Sequence, residues 1–126
     1  MVFAPVINQA SWREERLLFK AFEPNVTPMK KNAFGIPEPL HKPGTSVRGT
    51  TLDLVCVPLV AFNRQCDRIG MGGGYYDCAF ASRGVKPVTL VGLAFDCQQA
   101  DFEAHVHDVP MDAIVTETTV HTRAFT

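Results

Sequence analysis

The chain has 126 residues, 46% hydrophobic and 20% charged, a profile of one globular domain (1–126) rather than a disordered or fibrous chain. Lys and Arg number 12 against 13 acidic residues, and the net charge of −1 gives no global field favouring nucleic acid or an anionic membrane. The longest apolar run, residues 54–62, is too short to cross a bilayer, and no basic stretch precedes the apolar N-terminus as in a signal peptide. Cys56, Cys66, Cys78 and Cys97 show no CxxC or metal-finger spacing, so all are read as reduced thiols of a cytoplasmic protein. Cys56 falls in a buried-strand pattern. Cys78 is a minor candidate for a reactive thiol, with no partner base placed by the sequence.

In chain order, residues 1–7 read as a strand, with Pro5 suited to an edge. Residues 8–11 read as a turn. Ser11 and Glu14 form a capping-box pattern, while residues 16–22 fit a half-buried strand as well as a helix. Residues 23–51 hold Pro24, Pro28, Pro37, Pro39 and Pro43 and are expected to be irregular, either a surface wrap or a pocket wall. Glu38 is the charged residue to watch there, with a solvated position expected. Residues 54–58 predict a central strand, apolar on both faces as a parallel strand covered by helices should be. Residues 60–62 run past its C-terminal end, where open α/β sheets bind ligands, so Phe62 either lines a pocket or caps the core. Residues 75–83 predict a helix stopped by Gly84, residues 88–95 a second doubly apolar strand, 96–108 a polar excursion and 113–116 a short strand. Residues 118–126 read as an exposed tail.

The stretch Arg68-Ile69-Gly70-Met71-Gly72-Gly73-Gly74-Tyr75-Tyr76-Asp77 joins the central strand to the predicted helix. Its glycines free the backbone to aim several N–H groups at one anion. The helix would point its positive end at the same place, and Arg68 adds a cation suited to phosphate. The simplest functional reading is a phosphate cradle. Glycine-rich turns also serve chain reversal alone, and neither the Walker A spacing nor GxGxxG is present. Asp77 either caps the helix or, beside a polyphosphate, helps hold Mg²⁺. His105 and His107 lack the further ligands a transition-metal site needs.

Three blocks together resemble the 5-formyltetrahydrofolate cyclo-ligase (5,10-methenyltetrahydrofolate synthetase) family. They are Phe34-Gly35-Ile36-Pro37-Glu38-Pro39, then Asp53 to Pro58 running into Asp67 to Asp77, then His107-Asp108-Val109-Pro110-Met111-Asp112-Ala113-Ile114-Val115-Thr116-Glu117. The resemblance implies a three-layer α/β/α, Rossmann-like (CoA-transferase-like) sheet and favours a strand over residues 16–22. It implies ATP-dependent closure of 5-formyltetrahydrofolate to 5,10-methenyltetrahydrofolate, releasing ADP and phosphate. In that reading ATP is held by Arg68, Ile69, Gly70, Met71, Gly72, Gly73, Gly74, Tyr75 and Tyr76, and Mg²⁺ by Asp77 and Asp108. Arg68 and Tyr76 are the catalytic candidates. Met71, Gly72, Gly73, Gly74, Tyr75 and Phe62 are the folate-binding ones, and Asp112 is a supporting or structural acid.

Members of that family normally carry a further segment ahead of the region that matches. The chain is therefore expected to be N-terminally truncated, with apolar sheet surface open to self-association or to that missing segment. The alternative function is a non-catalytic remnant that holds a nucleotide or folate.

Overall fold

The computed structural model describes residues 1–8, 16–40, 44–82 and 88–123. Two sheets share one core. The first is antiparallel, in the order β1 (Phe3–Ile7), β2 (Leu17–Ala21), β5 (Val47–Arg48). Pro5 sits on its edge strand opposite Phe19, where its missing N–H costs no ladder bond to a third strand. The strand reading of residues 16–22 holds. The capping-box pair and the turn at residues 9–11 lie outside the described residues.

The second sheet has the order β11 (Val120–Thr122), β10 (Ala113–Val115), β9 (Thr89–Leu93), β6 (Leu54–Val57). β6, β9 and β10 are parallel, while β11 returns antiparallel to β10. Val120–Thr122, within the tail expected at 118–126, is thus strand, and residues 124–126 lie outside the described residues. Between β6 and β9 lie the hairpin of β7 (Ala61–Phe62) and β8 (Arg68–Ile69) and the helix α1 (Tyr75–Ala79). The architecture is a mixed sheet with a helix, of the α/β class.

The core joins Leu17 and Phe19 of β2 to Val55, Val57, Leu90 and Ile114 of the parallel strands, with Phe62, Phe80 and Met111 filling the space between. Burying each of these large side chains contributes about 1.5–3 kcal/mol. Phe19 and Phe80 meet with ring centroids 6.3 Å apart. The expectation that β6 and β9 are buried on both faces fails. Along β6 exposure alternates, with Leu54 and Cys56 outside and Val55 and Val57 inside. Leu93 at the end of β9 is also exposed.

Residues 23–51 are more regular than their prolines suggest. β3 (Met29–Lys31) and β4 (Pro37–Pro39) form a hairpin in which Lys30 faces Glu38. The prolines occupy alternate positions, so the donors at Asn32 and Leu40 still reach Ile36 O and Pro28 O at 3.0 Å. Asn32 builds the turn: its Oδ1 accepts from the amides of Phe34 and Ile36.

Candidate active site

The glycine stretch begins on β8, which the β7–β8 turn sets in place. The buried Asn63 organises that turn, its Oδ1 accepting from the amides of Gln65 and Asp67 and its Nδ2 donating to Asp67 Oδ2 and Phe102 O. Arg68 follows, and its side chain is only 6% exposed. Its Nε donates to Pro58 O at 3.1 Å, at the C-terminal end of β6. Its Nη1 lies 3.7 Å from Asp77 Oδ1, and its Cζ sits 5.6 Å from the centre of the Tyr76 ring. Burial pulls the guanidinium below its ordinary pKa, and Asp77, Tyr76 and Asp108 push it back up. The cation expected beside the phosphate loop therefore lies beneath it.

Above Arg68, Met71, Gly72 and Gly73 are exposed, and their amides have no hydrogen-bond partner among the described residues. Gly74 is the N-cap of α1 with φ +69, a left-handed conformation that a side chain would strain. α1 has only five residues, so the dipole expected from a helix over 75–83 is small. Arg83 and Gly84 lie outside the described residues. Asp77 sits in the first turn but caps nothing. Its Oδ1 instead accepts from the amide of Val109 at 3.0 Å.

That bond crosses from α1 to the approach of β10 and brings Asp77 against the residue after Asp108. Asp108 Oδ2 accepts from the His105 amide at 2.9 Å. Asp77 pairs with Arg68 directly, and Asp108 adds only a smaller electrostatic pull on it. Among the described residues no cluster of three or more His, Cys, Asp or Glu fits a metal. A magnesium ion at a polyphosphate asks for less, one or two carboxylates with the remaining ligands from phosphate and water. Asp77, with 26% of its side chain exposed, fits that demand in chemistry and access. Asp112 holds strands together: its Oδ2 accepts from the Leu90 amide at 2.8 Å.

The tyrosines divide. Tyr76 turns inward and stacks on Phe80, with centroids 6.5 Å apart and planes at 19°. Burial pushes its phenol up, against the lowering pull of Arg68. Tyr75, half-buried against the edge of the core, has the Arg16 guanidinium 4.7 Å above its ring and Phe34 edge-on at 6.4 Å. Tyr75 and Phe34 line a cavity of about 450 Å³ whose other walls are the β3–β4 hairpin and the end of β1. Glu38 lies in that wall, and its Oε2 accepts from the Ile7 amide at 3.1 Å and from Asn32 Nδ2 at 3.2 Å. It is a structural clamp rather than a solvated charge. Phe62 does not line this cavity: it is fully buried and packs on His121 at 5.2 Å. Of the two readings of residues 23–51, surface wrap or pocket wall, part of the segment lines this cavity, but nothing in the sequence marked the hairpin or aimed Phe34 at Tyr75.

The description "5-formyltetrahydrofolate cyclo-ligase family" matches residues 1–117. The chain belongs to that family. The 5-formyltetrahydrofolate cyclo-ligase of Haemophilus influenzae is 40% identical over 111 residues, covering 87% of this chain and 58% of that protein. The namesake from Escherichia coli K12 is 33% identical over 124 residues, covering 94% of this chain and 64% of that protein. The chain thus spans less than two thirds of these curated relatives. The NMR structure of Aquifex aeolicus 5,10-methenyltetrahydrofolate synthetase superposes with a TM-score of 0.71 at 28% identity, over 95% of this chain and 57% of that one. A synthetase from Mycoplasma pneumoniae, at 24% identity and a TM-score of 0.62, shares the fold. The cyclo-ligase match includes the glycine loop, Arg68, Asp77, Asp108 and the β3–β4 hairpin.

Proposed function

We propose that this chain carries the ATP grip and part of the folate cavity of a 5-formyltetrahydrofolate cyclo-ligase, which closes 5-formyltetrahydrofolate to 5,10-methenyltetrahydrofolate with release of ADP and phosphate. The observation that carries this is the buried Arg68 paired with Asp77 beside an exposed glycine loop whose next residue, Tyr75, lines a cavity. A cavity of about 450 Å³ falls in the range of small-molecule sites. Phe34 and Tyr75 offer it a pair of aromatic edges and faces for a flat ring, and Lys30 and Lys31 offer cations for a carboxylate tail.

In the reaction the formyl oxygen attacks the γ-phosphorus, the bond to the bridging oxygen breaks and ADP leaves. N10 then attacks the formyl carbon and gives up its proton, and the carbon–oxygen bond breaks as phosphate leaves. Phosphoryl transfer asks mainly for positioning and charge neutralisation. The amides of Met71, Gly72 and Gly73 supply donors at the loop. Arg68 supplies positive charge from below, held by Pro58 O and Asp77 so that it need not reorganise. Tyr76, its phenol pushed up by burial, stays protonated at neutral pH and serves as a donor rather than a base. Asp77 and Asp108 are the residues that would hold Mg²⁺, which would neutralise phosphate charge.

Among the described residues no helix is long and apolar enough to cross a membrane. The free thiols of Cys56, Cys66, Cys78 and Cys97 support a reducing, cytoplasmic setting. The test is the near-ultraviolet absorbance of the methenyl product after mixing the chain with 5-formyltetrahydrofolate, Mg²⁺ and ATP. An ATP-dependent rise is expected. Saturable Mg-ATP binding without turnover would favour the non-catalytic remnant, and neither signal would overturn the reading.

A further inference from the structure

The chain leaves β6 at Pro58 and turns through Leu59 and Val60 into β7. Both residues that open the glycine stretch hang from this corner. Arg68 Nε donates to Pro58 O at 3.1 Å, and the Val60 amide donates to Ile69 O at 2.7 Å. Leu59 rests against the core, but the corner belongs to no strand and Val60 is 47% exposed. A shift of the corner is therefore a shift of Arg68 and of the start of the loop.

One side chain from a distant part of the sequence grips it. Gln98 closes the short 3-10 turn Asp96–Gln98, which follows β9. Its Nε2 donates to Leu59 O and to Val60 O, each at 3.1 Å, and its Oε1 accepts from the Phe95 amide at 2.7 Å. A carboxamide carries two N–H bonds on one end and an acceptor on the other, so one glutamine meets all three demands, in one orientation of its amide. The seam continues beyond it, where Gln99 bridges Phe62 and the Ala100 amide donates to Phe62 O at 2.8 Å. The other side of the turn is fastened past the end of β10. There the Asp96 carboxylate accepts from the hydroxyls of Thr116 and Thr118, and the Asp96 amide donates to Glu117 Oε1. The turn thus ties together the C-terminal ends of all three parallel strands, the edge at which open α/β sheets bind ligands.

We propose that Gln98 is a positioning residue for the nucleotide grip: by holding the carbonyls of Leu59 and Val60 it sets where Arg68 and the glycine loop stand. Its effect on ATP rests on the reading of the loop as a nucleotide grip, whereas its effect on Arg68 does not. Two substitutions separate this role from support of the turn as such. Gln98→Glu keeps the side-chain length and the acceptor for the Phe95 amide, but loses both donors and sets a carboxylate against two carbonyls. Thr118→Val breaks the opposite fastening, at Asp96, and leaves Leu59 and Val60 untouched.

The full 126-residue chain and both variants are compared by nitrogen-15 NMR hydrogen exchange and by calorimetric titration with Mg-ATP. The probes are the Arg68 Nε–H bonded to Pro58 O and the Val60 amide bonded to Ile69 O, with the Leu90 amide of the core as reference. In Gln98→Glu both probes should exchange about tenfold faster while Leu90 is unchanged, and Mg-ATP affinity should fall about tenfold. Thr118→Val should match the wild type in every readout. Three results would overturn the proposal: Arg68 and Val60 exchanging in Gln98→Glu as slowly as in the wild type, Leu90 accelerating as much as they do, or Thr118→Val reproducing the effects of Gln98→Glu. Unchanged Mg-ATP affinity beside a loosened Arg68 would overturn the positioning role alone. No Mg-ATP binding by the wild-type chain would overturn the nucleotide reading, with the hold of Gln98 on Arg68 still decided by the exchange rates.

Discussion

Arg68 fills the space that a side chain at residue 70 would need: a Cβ on Gly70 would run into Arg68 Nη2. The loop's first glycine is thus required by a cation below it as well as by a ligand above it. Gly70→Ala must push aside a guanidinium tied to Pro58 O and Asp77. The expected cost is about 1–3 kcal/mol of stability, as for other overpacked sites, with Mg-ATP affinity reduced about tenfold. Thermal melting and calorimetry read the two effects. Gly73→Ala is the control, since its Cβ would meet the Tyr75 ring at 2.9 Å and should weaken folate binding more than ATP binding.

Asp77 has two duties that substitutions separate. Its Oδ1 accepts from the Val109 amide and faces the Arg68 guanidinium. Asp77→Asn keeps an acceptor for the amide but removes the charge. It should cost about 1 kcal/mol, discounted for the partial exposure of the carboxylate, and abolish the magnesium dependence of ATP binding. Asp77→Ala also orphans the amide and should cost about 1–2 kcal/mol more. Urea unfolding of both variants, with ATP titrations across magnesium concentrations, distinguishes the duties.

Phe34 is 64% exposed and meets Tyr75 edge-on, so little of the fold rests on it. Phe34→Ala should leave the urea midpoint nearly unchanged, within about 0.5 kcal/mol. Affinity for 5-formyltetrahydrofolate should fall about tenfold, in line with loss of one aromatic contact and its buried area. ATP affinity should stay the same. Equal losses for both ligands would contradict a cavity confined to the folate.

Burial pushes the Cys66 thiol above its ordinary 9.0 and the Tyr76 phenol above its ordinary 10.0, the latter opposed by Arg68. A group raised on folding contributes stability that is whole below its ordinary value and is lost as pH climbs through the folded one. These two groups therefore leave stability flat across neutral pH and lower it from about pH 9 upward. Cys66→Ala should remove the first part of that decline and Tyr76→Phe the part that begins near pH 10. Urea midpoints between pH 7 and 11 check the order.

The sequence was most legible where chemistry and chain order coincide. The glycine loop, Arg68 and Asp77 lie in one stretch, and Asp108 entered through a second block. The structure ties Asp77 to the segment that carries Asp108 through one bond, the Val109 amide donating to Asp77 Oδ1, while the Asp108 carboxylate accepts from the His105 amide. Depth was less legible. The sequence reads Arg68 as a cation suited to phosphate and says nothing of its depth, yet a ring, a carbonyl and a carboxylate around it make burial affordable. Apolar runs such as Leu54-Val55-Cys56-Val57 declare that both faces want cover, not that this chain supplies it. The β3–β4 hairpin was hidden because proline propensity opposes strands, whereas alternate positions on a two-stranded ribbon tolerate it. The adjacent tyrosines could not be told apart, since Tyr76 meets Phe80 one turn away while Tyr75 meets Phe34 from the distant β3–β4 turn.

In the proposed function, the exposed glycine loop braced by Arg68 and Asp77 grips a nucleoside triphosphate. Calorimetric titration of the chain with Mg-ATP tests it most directly. Saturable binding is predicted, lost on chelation of magnesium and reduced about tenfold in Gly70→Ala. Absence of any saturable heat in the wild-type chain, or equal binding by Gly70→Ala, would contradict it.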